Sequence, residues 1–386
     1  MSLAKTADNS PNLSISRAEG IYLYDDSGTK YLDLIAGISV NNIGHSHPKI
    51  LEAVRLQVGE YAHVMVYGEF IQQPQQDLAA KLASILPESL SCSYLVNSGS
   101  EAVEGALKLA RKHTKRKEIL SCSNGYHGST FGALSMMSET MYQEPFEPLL
   151  PETGHIEFNN HQNLHLITEK TACVLAETVQ GEAGIRVPEN GYLAALKARC
   201  EAVGALLILD EIQTGFGRTG KMFGFENYGV VPDIVLMAKA LGGGYPLGAF
   251  SSSEEIMGGL ASDPPLGHIT TFGGHPVSCA AAIASIDVLI TEDLPQRANA
   301  KGELFRELLQ HTKIKEVRGI GLMLAVQLEN SDQTQQAMNI CRELGLITDW
   351  FLFADDCLRI APPLIISEEE IRKACEIILQ SLDQAN

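Results

Sequence analysis

With 386 residues, the chain is long enough to bury a large core and to carry a main domain with a smaller lobe. It is 45% hydrophobic and 20% charged, as soluble globular proteins are, and 29 Lys and Arg against 47 Asp and Glu leave a net charge of −18. That acidity argues against a nucleic-acid partner, no apolar run approaches the ~20 residues of a membrane span, and the N-terminus carries no hydrophobic signal core.

The first elements read as extended segments with turns. Gly20-Ile-Tyr-Leu-Tyr-Asp-Asp-Ser-Gly28 leads into Lys30-Tyr-Leu-Asp-Leu-Ile35, and Asp-Asp-Ser-Gly marks a hairpin turn. From about residue 48 strands alternate with helices. The short apolar runs 93–96, 118–121, 172–176, 205–209 and 234–237 suit strands buried on both faces. Helical patterns cover 75–86, 101–112 and 193–203. This alternation predicts a mostly parallel sheet with helices on both faces and a ligand at the carboxyl ends of the strands. A long helix is predicted over 278–290. Beyond it the pattern becomes α+β, with strand, turn and strand over 316–328 and helices over 334–344 and 368–382. Ser367 and Glu370 form a capping box for the last helix. The eight cysteines are scattered without a Cys-x-x-Cys pair. They read as reduced core residues of a cytoplasmic protein, not as a disulfide framework or a zinc site.

Chemistry-bearing residues collect at the strand ends. After 93–96 comes Asn97-Ser-Gly-Ser-Glu101, a small turn opening a helix. Free N–H groups and the helix dipole there can hold a phosphate, and Gly99 lets the backbone approach closely. Plain N-capping by a serine is the simpler reading of the motif in isolation. After 118–121 comes Asn124-Gly-Tyr-His-Gly-Ser-Thr130, where Tyr126 can stack on a planar ring or merely cover the loop. Asp210 directly follows the run 205–209, a costly place for an acid without a partner. A pyridinium nitrogen would hold Asp210 ionised while Asp210 kept the ring protonated. A capping aspartate in a strand-to-helix turn explains it equally well. Lys239 leaves 234–237 for a glycine turn. Burial lowers a lysine pKa and frees the amine as a nucleophile, as a Schiff base with the carbonyl of pyridoxal phosphate requires. A lysine snorkelling at a strand end is the simpler reading of that segment alone. His45-Ser-His47 offers two imidazoles without a supporting carboxylate or cysteine set, so no metal is expected.

In this order the segments resemble the class III pyridoxal-phosphate-dependent aminotransferases, on the fold-type I scaffold, over nearly the whole chain. The strongest marks are Asp210-Glu-Ile-Gln-Thr-Gly-Phe-Gly-Arg-Thr-Gly220 and Lys239-Ala-Leu-Gly-Gly-Gly244. The resemblance implies an α/β fold with a mostly parallel sheet in a large cofactor-binding domain, residues 48–289. A smaller α+β C-terminal domain would follow at 290–386, with the N-terminal segment 1–47 packed against it. Lys239 would be the Schiff-base lysine and then the proton carrier. Asp210 would partner the pyridinium nitrogen, and Gln213 would bond the ring 3-hydroxyl. Tyr126, in the catalytic set, would sandwich the ring with Ile212. Ser98, Gly99, Ser100 and His127 complete the implied cofactor set. Members are homodimers with shared active sites. His268-Ile-Thr-Thr-Phe-Gly-Gly-His-Pro276 is similar to the loop that gives a threonine, here Thr271, to the neighbour's phosphate, with His275 where asparagine is frequent.

Within the family the likeness is greatest to acetylornithine and ornithine aminotransferases. Ala36-Gly-Ile-Ser-Val-Asn-Asn-Ile-Gly-His-Ser-His-Pro48 resembles the acetylornithine-type segment, and Ile38 stands where ornithine enzymes tend to carry an aromatic residue. Glu177-Thr-Val-Gln-Gly-Glu-Ala-Gly184 and Leu358-Arg-Ile-Ala-Pro-Pro363 imply a Glu182–Arg359 pair. In such enzymes the arginine binds the carboxylate of glutamate or 2-oxoglutarate, and the glutamate masks it for an uncharged chain. A surface ion pair worth under about 1 kcal/mol is the other reading of Arg359. One departure stands out. The family commonly reads His-Gly-Arg, with the arginine on a substrate carboxylate, whereas this chain reads His127-Gly-Ser129, and serine cannot replace that charge.

The resulting expectation is a cytoplasmic aminotransferase that moves the terminal amino group of acetylornithine or ornithine to 2-oxoglutarate, giving a semialdehyde and glutamate. The alternatives are 4-aminobutyrate or another ω-amine as donor, a same-fold aminomutase, decarboxylase or racemase, and a non-catalytic protein that holds pyridoxal phosphate.

Overall fold

The structure is a computed structural model that describes residues 4–6 and 13–385. Most of the first ten residues, read above as lacking a signal core, lie outside the described residues. In chain order the strands are β1 (Ile15–Glu19), β2 (Tyr22–Asp25), β3 (Lys30–Asp33), β4 (Cys92–Val96), β5 (Glu118–Cys122), β6 (Thr153–Ile156) and β7 (Thr171–Glu177). They continue as β8 (Leu206–Asp210), β9 (Ile234–Met237), β10 (Gly248–Ser252), β11 (Glu316–Ile320), β12 (Met323–Gln327), β13 (Leu346–Ile347) and β14 (Cys357–Ile360).

The central sheet has seven strands in the order β4-β10-β9-β8-β7-β5-β6. Only β10 runs against the others. Every residue of β7, β8 and β9 is buried, as strands covered on both faces require. This explains why their sequences are continuous apolar runs rather than alternating ones. Two strands of this sheet had no such run. In β10, Ser251 and Ser252 are fully buried, and their hydroxyls meet Ser93 Oγ at 2.6 Å and the Asp233 carbonyl at 2.6 Å. Serines satisfied in this way can occupy an inner strand, which a hydrophobicity pattern does not reveal. Edge strand β6, Thr-Gly-His-Ile, is too short and polar to announce itself.

The predicted helices are present with modest extensions, at Gln73–Ile85, Gly99–Thr114, Tyr192–Val203, Pro276–Thr291, Ser331–Glu343 and Glu368–Gln384. The last one has its capping box: Glu370 N–H donates to Ser367 Oγ at 3.2 Å, and Ser367 N–H to Glu370 Oε2 at 2.9 Å. Among the described residues, two α-helices longer than four residues were not foreseen, Pro48–Glu60 and Leu294–Leu308. Each starts on a proline-bearing turn after a residue with its own role. His47 Nδ1 caps the first by accepting from Lys49 N–H at 3.3 Å. Asp293 enters the second at φ 52°.

Strands β2 and β3 pair antiparallel through the anticipated turn, and β13 joins β3 in parallel, so the N-terminal strands share a sheet with a strand from the C-terminal part. A separate antiparallel sheet, β11-β12-β14, carries Arg359 on β14. All eight cysteines are free, and seven of them are buried. Among the described residues no helix is long and apolar enough to cross a membrane.

One fully buried side chain ties three distant segments together. Arg218 Nη1 donates to the carbonyls of Leu322 at 2.9 Å and Pro362 at 2.6 Å, and Nη2 donates to Asn42 Oδ1. Asn42 in turn donates to the Phe216 carbonyl at 2.8 Å. Burial pushes the Arg218 guanidinium down to about 9. Truncation would leave several buried acceptors unpaired, each worth about 1–3 kcal/mol. Arg218→Ala is therefore expected to lower stability by about 3 kcal/mol or more in urea unfolding; an unchanged midpoint would show that the tie carries no weight.

Candidate active site

The carboxyl ends of β4, β5, β7, β8 and β9 converge on one cavity of about 350 Å3. Its walls include Ser98, Gly99, Ser100, Tyr126, His127, Glu182, Asp210, Ile212, Gln213 and Lys239, ten of the fourteen residues singled out from the sequence. A parallel sheet brings such residues together because each crossover returns the next strand end to the same edge.

Lys239 enters this cavity through a strained turn. Ala238 remains extended, and Lys239 swings to φ 47°, a region that a non-glycine residue occupies at a cost. Its side chain is half-buried, with the open part on the cavity, and it has no hydrogen-bond or ion-pair partner among the described residues. Burial draws its pKa below the ordinary lysine value, against the opposing pull of Glu182 and then Asp210 and Glu177. An unpaired amine of lowered basicity is what a nucleophilic lysine needs.

Asp210 ends β8 and is almost fully buried. Its Oδ2 lies 2.8 Å from His127 Nδ1, and its Oδ1 accepts from Ile212 N–H at 3.0 Å. His127 Nε2 is buried and has no partner among the described residues. Glu177 ends the neighbouring β7 and is the direct register partner of Asp210. Glu177 accepts from Gly181 N–H at 2.9 Å and Tyr126 N–H at 3.2 Å. Burial first, opposed by His127 and reinforced by Asp210, pushes the Glu177 carboxyl up to about 7. The sequence reading had passed over Glu177, although it carries the same signal as Asp210, an acid directly after a buried apolar strand.

The Ser98 turn forms a cradle. Ser98 Oγ caps the helix Gly99–Thr114 through Glu101 N–H at 3.2 Å, leaving the Gly99 and Ser100 amides at the cavity. A Cβ on Gly99 would meet Ile212 Cδ1 at 2.8 Å, and one on Gly128 would overlap Ser100 Oγ. A Cβ on Gly181 would overlap the Gln213 side chain. Backbone amides at a helix start, with glycines where side chains would intrude, suit an anionic group such as phosphate.

Arg359 pairs with Glu182 of the cavity wall. Its Nη2 reaches Glu182 Oε1 at 3.0 Å and Oε2 at 2.9 Å and also donates to the Trp350 carbonyl at 2.9 Å. The guanidinium lies 4.2 Å from the centre of the Phe351 ring. Both partners are buried, so the exposed-pair reading of Arg359 does not hold. Burial raises the Glu182 carboxyl, but the adjacent Arg359 charge outweighs this and leaves it below its ordinary value.

Four predicted residues fall outside this cavity. Thr271 is exposed and away from the walls, while its neighbour Thr270 accepts from Asn97 Nδ2 at 2.9 Å. Ile38 is half-buried in a turn of left-handed residues, and Val40 from that turn lines the cavity instead. Arg359 acts on the wall through Glu182. Ser129 is exposed, with its hydroxyl 3.4 Å from that of Tyr126. His45 binds Asp33 Oδ2 at 2.7 Å and His47 caps a helix, so both imidazoles are accounted for structurally. Among the described residues no cluster of three or more potential ligands could hold a metal ion.

The family description "Aminotransferase class-III" matches residues 3–382. The chain belongs to the class III aminotransferases. It is similar to the acetylornithine aminotransferase of Methanopyrus kandleri, 40% identical over 94% of this chain and 92% of the relative. It is also similar to the putrescine aminotransferase of Pectobacterium atrosepticum, 37% identical over 94% of this chain and 81% of the relative. Among solved structures it resembles the ornithine aminotransferase of Toxoplasma gondii, with a TM-score of 0.91, 31% identity and coverage of 98% of this chain and 92% of that one. That structure holds pyridoxal phosphate at partial occupancy in its active site. As a class III aminotransferase, this chain is a transaminase that takes an amino donor and an oxo acid, and its cofactor is pyridoxal phosphate. The residues present fit that group: amides at a helix start for the phosphate, a buried carboxylate and a lysine without a hydrogen-bond partner among the described residues all line one cavity.

Two outcomes check this site. Lys239→Ala should abolish the visible absorption band of the lysine-bound cofactor and lower turnover by at least about 1,000-fold; a band that persists would remove Lys239 from its role. Because the fold raises the Glu177 pKa, the folded chain keeps a proton that the unfolded chain has released. Stability from this group therefore falls as pH rises from about 4.5 to about 7 and is level above that. Glu177→Gln should gain stability relative to the unchanged protein across this window in urea unfolding, and a pH-independent difference would contradict the assignment.

Proposed function

We propose that this aminotransferase moves the terminal amino group of an ornithine-type donor, acetylornithine or ornithine, to 2-oxoglutarate, giving a semialdehyde and glutamate. The buried Glu182–Arg359 pair beside Lys239 is the observation that carries this reading. A dicarboxylate acceptor needs a fixed cation, whereas the terminal-amine end of the donor needs that cation masked. Glu182 can serve both demands by holding Arg359 or releasing it.

Pyridoxal phosphate, when bound, supplies the carbonyl that takes up the amino group and the electron-withdrawing ring. Lys239 is the residue we assign to hold that carbonyl and then to carry a proton from the amine-bearing carbon of the donor. Its lowered pKa favours both roles near neutral pH. Asp210, held by His127, is our assignment for the ring nitrogen, and Gln213 for the ring hydroxyl. Tyr126 and Ile212 would cover the ring faces, with Ser98, Gly99 and Ser100 on the phosphate. We further propose a cytoplasmic homodimer in which Thr271, exposed and outside the walls of its own cavity, completes the neighbour's site. Arg359 would then come from a smaller C-terminal domain, residues 290–386, set against a large domain at 48–289.

A second reading, another ω-amine as donor, is favoured by Ser129, which leaves the α-carboxylate of an ornithine-type donor without a cationic clamp. A panel of acetylornithine, ornithine, putrescine and 4-aminobutyrate with 2-oxoglutarate, read as glutamate, separates the two. Activity restricted to α-amino acids would overturn both. Arg359→Ala should raise KM for 2-oxoglutarate by about 30-fold or more while affecting the donor half-reaction far less, since removing one partner of a buried charge pair costs about 2–5 kcal/mol. An equal loss on both sides would mean that Arg359 is only structural.

A further inference from the structure

A second cavity, of about 510 Å3, adjoins the first. Tyr126 belongs to the wall of both. On the far side, Leu352 N–H donates to Glu182 Oε2 at 3.2 Å, joining the second cavity to the masking glutamate of the first. Phe131, Leu134, Met137, Tyr142, Phe146 and Leu352 make up most of its wall. Thr6 and Ser129 add hydroxyls, and among the described residues no charged side chain lines it. Phe131 and Phe146 keep 64% and 56% of their surface exposed, so apolar area is left for an occupant to cover.

We propose that this cavity receives the far end of the amino donor, and that Ser129 selects donors whose far end is an apolar acyl or alkyl group without a carboxylate. The inference deepens the ω-amine reading above and rests on it. The reacting amine must sit at Lys239, so the rest of the donor leaves past Tyr126, and the cavity beyond Tyr126 is apolar and uncharged. The Tyr126 and Ser129 hydroxyls, 3.4 Å apart, mark the threshold between the two spaces. A carboxylate carried past that threshold would lose its water and meet no cation. A methylene carried there is worth about fourfold in binding, from ~0.8 kcal/mol per buried CH2.

The test uses the holoenzyme and two donors that differ only in a carboxylate, N2-acetylornithine and N-acetylputrescine. The donor half-reaction is followed by the cofactor's absorbance, which keeps 2-oxoglutarate out of the readout. The expected result is a kcat/KM at least about tenfold higher for N-acetylputrescine, rising about fourfold for each methylene added to the acyl group until the cavity is full. Ser129→Arg should reverse the order of the two donors. N-Butylacetamide, which has no amine to react, should bind the unchanged holoenzyme in calorimetry and bind Ser129→Arg at least about tenfold more weakly. Preference for N2-acetylornithine, or a donor ratio that Ser129→Arg leaves unmoved, would overturn the pocket while leaving the ω-amine reading intact. Failure of N-butylacetamide to bind the unchanged holoenzyme would overturn the proposal. Turnover of L-alanine in place of both donors would overturn the ω-amine reading and the pocket with it.

Discussion

Asp210 and Glu177 end adjacent parallel strands in register, so two carboxyl groups stand side by side where solvent scarcely reaches. Two buried acids at such a distance cannot both carry charge without a partner. The chain resolves this with His127, 2.8 Å from Asp210, and with two backbone N–H groups on Glu177. Asp210 keeps its directional partner, while Glu177 drifts up toward neutrality. The same loop that provides His127 also sets Tyr126, because Tyr126 N–H is one of the Glu177 donors. The backbone position of Tyr126 is therefore a consequence of how the carboxyl pair is satisfied.

The long motif after β8 does two jobs at once. Asp210, Ile212 and Gln213 face the cavity. Between and beyond them, Glu211 is buried on hydroxyls of Thr178 and Thr214 and on the N–H groups of Gly224 and Phe225, at 2.5 to 2.8 Å. Arg218 ties the end of the motif to Asn42, Leu322 and Pro362. Neighbouring residues of the motif thus line the cavity and anchor it, and Thr214 does both. The anchors hold the cavity-lining residues against the N-terminal segment and the C-terminal sheet that carries Arg359.

Much of this was legible beforehand because both-face burial writes itself as apolar runs, and functional residues sit directly after them. Strands β7, β8 and β9 and the residues Asp210 and Lys239 follow from that rule. Strand β10 was not legible, since its serines are satisfied by neighbours that only the fold brings near. The His127–Asp210 bond spans 83 positions and leaves no local trace. Glu177 was available to the same reasoning as Asp210 but lay in a motif whose second glutamate drew the attention. Thr271 is exposed and outside the walls of its own cavity, so the role proposed for it depends on a second copy of the chain.

On the proposed function two kinds of substrate share one cavity, and charge would separate them. Arg359 and Glu182 would meet the dicarboxylate, while no charged side chain among the described residues lines the space past Tyr126. A reaction in which both substrates use the same space in turn has a definite kinetic signature. Initial rates with an ω-amine donor and 2-oxoglutarate varied together should give parallel double-reciprocal lines, with one glutamate formed for each donor consumed. Converging lines, or donor turnover sustained with no oxo acid present, would contradict it.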